Sequence, residues 1–371
     1  MTEPLEDLRQ RIDGVDEQIV ALLAERKGLV ASVAAQKQAR SLPIHHPARE
    51  EDLVSRRRDQ ARAAGVDPDL VEDVFRRVMR DSRLSQARTL ASHAVRPGAA
   101  ILVVGGAGGM GRLVVRWFTA AGYDVRVLER DGWGAVDARG VALAILSVPI
   151  DLTPAVAAEL APHLDPGCVL ADVTSVKVRP MEAMLAAHGG PVVGLHPMFG
   201  PTTGSLDRQI VVATPGRSEA QCRWVLDQLA AWGAVVVEAT AEEHDRTMRV
   251  VQALRHFATF AFGQFLVREG VDLRRTLELS APIYRLELGM VGRLFAQDPH
   301  LYSEIVLAEP ERAALLERFL ESARGNLPML RSGDKAGFEA EFRRIAAWFG
   351  PFADQALRES TWLIDKLVER F

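Results

Sequence analysis

Cysteine is nearly missing from this chain: of 371 residues only Cys168 and Cys222 carry a thiol, and they form no C-x-x-C pair. That count excludes a disulfide framework and a thiolate metal site, so no metal is expected, and a reducing cytoplasm is the expected location. An excess of one charge is missing too, with 45 Lys and Arg against 49 Asp and Glu. The first 90 residues hold 16 of each sign, so they are not a charged tail. A nucleic-acid binder or a polybasic membrane binder is therefore not expected. No run approaches the roughly 18 uninterrupted apolar residues of a spanning helix. The start Met1-Thr2-Glu3-Pro4 also lacks the basic and then apolar pattern of an export signal. Low-complexity segments and repeats of about 20 to 50 residues are absent as well. What remains is a soluble chain too long for one ordinary domain, and two or three domains are expected.

Three kinds of periodicity divide it. Leu5, Leu8, Ile12, Val15, Ile19, Leu22, Leu29 and Val33 advance in steps of three and four, which predicts one long helix over residues 5 to 40. At about 1.5 Å per residue such a helix is about 50 Å long, so its seam must pack against a second chain or another domain. Further helices are predicted over 48 to 63 and over 69 to 90, the latter opened by Asp67-Pro68. After Arg96-Pro97-Gly98 short apolar runs take over, predicting strands at 101–105, 124–128, 141–148, 168–173, 192–195, 210–213 and 234–238. Helical segments fill most of the gaps, as in a mostly parallel, doubly wound sheet. From Ala241 onward long apolar helical segments follow, among them 250–267, 281–296 and 312–330, and their apolar surface is expected to seal a dimer. The chain thus reads as multidomain: an all-α helical domain over 1–92, an α/β Rossmann-type domain over 98–240 and an all-α domain over 241–371.

Chemistry gathers at several points. Gly106-Ala107-Gly108-Gly109-Met110-Gly111 follows an apolar strand and runs into a helix, and Glu129 ends the next strand 18 residues past Gly111. Glycines there let backbone approach a pyrophosphate at the positive end of a helix, and the carboxylate suits an adenosine ribose. Glu129 should repel a 2′-phosphate, so NAD is expected. Ser147, Lys177 and His196 lie at or just beyond the carboxyl ends of later strands, where an open parallel sheet binds its ligands. The imidazole of His196 suits a proton acceptor near neutral pH. In the last domain Arg255-His256, Arg285 and Arg293 interrupt apolar sequence, and only Glu287 offers an opposite charge within 282–296. Buried unpaired arginines are costly, so an acid elsewhere or an anionic substrate is expected to meet them.

In the first domain Arg26 stands where the seam calls for an apolar residue, and Lys37 lies about 20° from it around the helix. Arg9, about 100° round from Arg26, better serves a site on the partner helix of a dimer. Arg49 and Glu50 begin the second helix, while Ser82 and Gln86 form an i, i+4 pair on the third. Cations converging with neutral hydrogen-bonding groups inside a bundle make a pocket for a small dicarboxylate.

These residues carry a resemblance. Leu8-Arg9-x-x-Ile12-Asp13, Leu22-Leu23-Ala24-Glu25-Arg26, Lys37, Pro47-x-Arg49-Glu50 and Asp81-Ser82 to Gln86 resemble the helical chorismate mutases. The stretches GGAGGMG, ILSVPI, DVTSVK, GLHPMFGP, EHD, QALRHFATFAFG and PIYRLELGMVGRLFAQDP are similar to prephenate dehydrogenase. Order and length resemble the bifunctional chorismate mutase/prephenate dehydrogenase family over nearly the whole chain.

The resemblance implies that Arg9 of a partner chain, Arg26 and Arg49 bind the chorismate carboxylates, with Lys37 and Gln86 at the ether oxygen and Glu50 and Ser82 at the hydroxyl region. It makes His196 the acceptor for the prephenate 4-hydroxyl, Ser147 a partner of that hydroxyl and Arg293 the carboxylate anchor. Lys177, His256, Arg285 and Tyr302 are similar in position to active-site or effector-site residues. A homodimer, NAD as cofactor and inhibition by tyrosine are implied. The alternatives are a dehydrogenase of a related carboxylate such as arogenate, with helices serving only dimerisation, and a ligand-sensing NAD-binding regulator.

Overall fold

The structure, a computed structural model, describes residues 4–39, 47–91, 94–132 and 138–368. Its first compact unit runs from Met1 to His244 and its second from Asp245 to Phe371.

The first unit opens with three helices, α1 (Leu5–Ala39), α2 (Pro47–Ala64) and α3 (Pro68–Ala91). Helix α3 packs on both α1 and α2. The seam of α1 is bare within one chain: Leu5, Ile12, Val15, Ile19, Leu22 and Leu29 are all exposed. Apolar residues at heptad spacing along 35 helical residues, left exposed by the described residues of their own chain, form a stripe that water does not favour.

Seven strands and the helices between them follow: β1 (Ala100–Val104), α4 (Gly109–Ala120), β2 (Asp124–Leu128), β3 (Val141–Leu146), α5 (Thr153–Leu160), β4 (Val169–Asp172), α6 (Val178–Ala187), β5 (Val192–Pro197), β6 (Ile210–Arg217), α7 (Glu219–Ala231) and β7 (Val235–Glu238). The sheet order is β2-β1-β3-β4-β5-β6-β7, parallel throughout except between β5 and β6. All seven predicted strands are present. β1 shows why an unbroken apolar run makes a central strand: Ile101 and Val103 enter one core with Phe118 and Trp232, while Leu102 and Val104 enter the other with Leu146 and Met184. Because β2 and β3 lie on opposite sides of β1, the winding reverses there, which opens a crevice beyond the carboxyl ends of the strands.

The helical domain is stitched to this sheet domain. Val95 N–H donates to Gln228 Oε1 at 2.8 Å, and Arg96 N–H donates to the Tyr123 hydroxyl at 3.2 Å. The Arg96 guanidinium lies over the Trp224 ring, 5.5 Å from its centroid.

Helix α8 (Ala241–Met248) is followed by a π-helical stretch, Arg249–Leu254. Then come α9 (Arg255–Arg268), α10 (Leu273–Glu278), α11 (Pro282–Phe295), α12 (Pro299–Val306), α13 (Pro310–Gly325), α14 (Leu327–Ser332), α15 (Lys335–Phe349) and α16 (Pro351–Val368). The segment predicted as one helix over 312–330 is two, divided at Asn326, because Pro328 has no N–H to continue the ladder and suits the first turn of a new helix. Phe338, Phe342, Trp348, Phe352 and Trp362 of α15 and α16 are exposed.

Candidate active sites

At the sheet edge, Val104 pairs with both Leu128 and Leu146, so Gly105, Glu129 and Ser147 leave three adjacent strands side by side. Gly105, one residue ahead of the motif read in the sequence, has φ +79°, and a Cβ on it would collide with the Ser147 carbonyl. A Cβ on Gly111 would collide in turn with the Gly105 carbonyl, so both positions require glycine. Helix α4 begins at Gly109 behind Gly108, with no side chain capping its first turn. Gly106 and Met110 complete the turn, and the exposed Glu129 accepts the Ala107 N–H at 2.6 Å through Oε1. A tight glycine turn, an uncapped positive helix end and a carboxylate at the end of β2 fit a dinucleotide's pyrophosphate and ribose.

His196 sits in β5, buried to 2% exposure, and its Nδ1 lies 2.7 Å from Nε2 of the buried His244 in α8. The rings meet edge to face, with centroids 5.0 Å apart. In such a pair one nitrogen donates and the other accepts, which holds the ring of His196 in orientation and couples the tautomers of the two rings. His244 has no assigned role in the sequence reading; its only signal is the Glu-His-Asp stretch, 48 residues from His196.

Lys177 corrects an expectation. It is fully buried, its ammonium paired with the Asp172 carboxylate and donating to the Leu195 carbonyl at 2.8 Å. A lysine in that place is tolerable because Asp172 neutralises it, and it ties β4 to β5 one residue before His196. It braces the strand from within the core. Gly194 leaves room for this: a Cβ there would lie 3.0 Å from Lys177 Cδ.

In the second unit His256 and Tyr302 come together, ring centroids 4.8 Å apart and edge to face. They line a cavity of about 420 Å³ with Phe257, Phe260, Leu294 and Phe295. Burial, and secondarily Arg255, pulls the His256 imidazole down to a pKa of about 4, so it is neutral at physiological pH. Neither Arg285 nor Arg293 lines that cavity. Arg285 donates to the Leu277 carbonyl at 2.7 Å. Arg293 overturns the expected burial, because it is exposed in the last turn of α11. The buried arginine of this unit is Arg312, whose guanidinium donates to the Ile305 carbonyl and lies 3.6 Å from Glu309.

In the helical domain Arg26 Nη1 donates to Ser82 Oγ at 2.5 Å, and both line a pocket of about 320 Å³ with Lys27, Arg77 and Asp81. Burial, with Arg57 adding to it, lowers the pKa of the Arg26 guanidinium from its ordinary value, so the pocket holds a partly desolvated cation. Arg9 is exposed, with Glu6 at 3.6 Å. Arg49 is exposed at the start of α2. Glu50 Oε2 accepts from Arg83 at 2.7 Å and from Arg208 at 3.0 Å. Lys37 and Gln86 belong to α1 and α3, but their side chains lie outside the described residues.

The two halves offer different equipment. The bundle supplies charge and enclosure for an anion, whereas the sheet supplies a dinucleotide turn beside an oriented histidine, the apparatus of a dehydrogenase. Known families match both: residues 8–87 match chorismate mutase type II, 129–238 the nucleotide-binding domain of prephenate dehydrogenase, and 240–344 its dimerization domain. The chain is 46% identical to a T-protein of Enterobacter agglomerans over 98% of each chain. It is 40% identical to the T-protein of Haemophilus influenzae over 98% of this chain and 97% of that protein. It belongs to the T-protein family and is a bifunctional chorismate mutase and prephenate dehydrogenase. The dehydrogenase part shares the fold of the prephenate dehydrogenase of A. aeolicus, solved with hydroxyphenyl propionate and NAD+, at a TM-score of 0.55 and 20% identity. That likeness covers 68% of this chain and 99% of the other.

Proposed function

We propose that the bundle rearranges chorismate to prephenate and that the sheet edge, with NAD, oxidises and decarboxylates prephenate to 4-hydroxyphenylpyruvate, as a cytoplasmic homodimer. The pericyclic step needs no acid, base or cofactor. Arg26, Arg49 and a partner's Arg9 hold the carboxylates, Lys37 and Gln86 stabilise charge on the breaking ether, and Glu50 and Ser82 fix the hydroxyl region.

NAD, held by the Gly106–Gly111 turn and Glu129, supplies the hydride acceptor. His196, oriented by His244, takes the proton of the 4-hydroxyl as the C4 hydride departs, and Ser147 holds the same oxygen. Loss of CO2 from C1 then returns its electron pair to the ring, which becomes aromatic, and the proton goes back to the phenol oxygen. By the family resemblance Arg293 is a carboxylate anchor, and His256, Arg285 and Tyr302 hold positions similar to active-site or effector-site residues. Tyrosine carries the same phenol ring as the product and is the expected inhibitor.

The observation that carries the dehydrogenase reading is the His196–His244 pair on the sheet edge that also bears the glycine turn. The bare α1 seam and the exposed aromatics of α15 and α16 support the dimer. No helix among the described residues is long and apolar enough to cross a membrane. The test is to supply chorismate and NAD, following chorismate loss and NADH formation separately, with prephenate and arogenate as direct substrates in parallel. NADH formation with retained chorismate would reduce the bundle to a dimerisation element, and preference for arogenate would overturn the assigned substrate.

A further inference from the structure

The helical and sheet domains meet through a compact group of four charges. Arg83 of α3, 8% exposed, donates from Nη1 to Glu50 Oε2 at 2.7 Å and from Nε to Asp207 Oδ2 at 3.1 Å. Arg208 donates to the same Glu50 oxygen at 3.0 Å. Glu50 and Arg83 belong to the bundle, whereas Asp207 and Arg208 belong to the loop that leaves β5 just after His196 and returns as β6. The loop takes up an uncommon conformation there: Arg208 has φ +60°, one of two described non-glycine residues in the left-handed region. Such a backbone persists only where its surroundings hold it. Here Arg208 N–H donates to the Gly233 carbonyl at 2.9 Å, and the side chains of Asp207 and Arg208 both reach the bundle.

Glu50 also lies in the first turn of α2, where the helix dipole favours a carboxylate. Two guanidiniums from two other elements, one of them braced by Asp207, fix where that carboxylate stands. Ser82, the neighbour of Arg83, meets Arg26 in the mutase pocket, so α3 joins the pocket to the charge group through adjacent residues.

We infer that Asp207, acting through Arg83, and Arg208, acting directly on the Glu50 carboxylate, are residues of the dehydrogenase domain that position Glu50 for the chorismate mutase reaction. This rests on the reading of Glu50 as a mutase residue. The bundle's active site is then incomplete without the neighbouring domain.

The test is a double-mutant cycle in the full-length enzyme between Asp207→Asn and Glu50→Gln, with Asp207→Glu as the conservative control. Mutase kcat and KM, dehydrogenase activity on added prephenate and the thermal midpoint are read for each. Glu50→Gln is expected to lower mutase kcat at least tenfold, and Asp207→Asn about threefold to tenfold, with dehydrogenation unchanged. Asp207→Glu should restore most of the loss, and Asp207→Asn should have no further effect in the Glu50→Gln background. If Asp207→Asn lowers mutase kcat equally in both backgrounds, or not at all while Glu50→Gln is impaired, the positioning role is wrong and the reading of Glu50 stands. If Glu50→Gln is unimpaired, the reading of Glu50 fails and the inference falls with it. Asp207→Asn keeps all side-chain volume, so the cycle does not depend on replacing the buried Arg83.

Discussion

The sheet domain and the α1 helix solve the same problem, hiding apolar surface, in opposite ways. The sheet buries both faces within one chain, with Ile101, Leu102 and Leu143 inaccessible, and its glycine turn and histidine pair are formed by that packing. Helix α1 hides little of its seam within one chain and stands ready for another. A site built on the first is set by a single fold, whereas a site on the second shares its fate with whatever covers the seam.

Breaking each site tests that contrast most strongly. His196→Asn should lower dehydrogenation of prephenate by about a hundredfold or more, the usual worth of a proton-transfer group, and leave chorismate consumption intact. Arg26→Ala should lower mutase turnover by about a hundredfold, as removal of one preorganised charge does, with dehydrogenation of added prephenate retained. Loss of both activities from either change in a folded protein would contradict two separate chemistries.

A weaker but sharper probe is Ile19→Asp in the bare seam. Forfeiting the burial of one isoleucine, about 1.5 to 3 kcal/mol, shifts association by at least about tenfold. Mutase activity should then depend on protein concentration in the range where the unaltered enzyme's does not, as dilution assays with sedimentation would show. Concentration-independent activity would mean the seam is not a mutase interface.

The smallest effect concerns pH. The folded pKa of His256, about 4, lies below its ordinary 6.5. The unfolded chain therefore binds the extra proton first, so this stabilising contribution is whole above pH 6.5 and is lost as pH falls from about 6.5 to about 4. Thermal midpoints measured across that window should fall less steeply in His256→Gln than in the unaltered protein.

Much of this architecture is legible in the sequence because it rests on local pattern. Seven apolar runs become seven strands, and the glycine motif lands where a strand meets a helix. What is not legible depends on residues far apart in the chain. Nothing near His196 announces His244, and nothing around Lys177 says that Asp172 and the Leu195 carbonyl would enclose it. The exposure of Arg293 and the burial of Arg312 reverse what local apolarity implies, because the side of a helix that faces inward is decided by its neighbours. Gly105 shows the finer limit: only the position of the Ser147 carbonyl reveals why the glycine before the motif is needed.

The junction at Val95 and Arg96 has one more consequence. With both backbone N–H groups committed and the Arg96 guanidinium laid on Trp224, Val95 and Arg96 are held firmly against the sheet domain. Arg83, reaching from α3 to Asp207, adds a second tie, so the spacing between the bundle's pocket and the sheet edge is set by contacts within this unit.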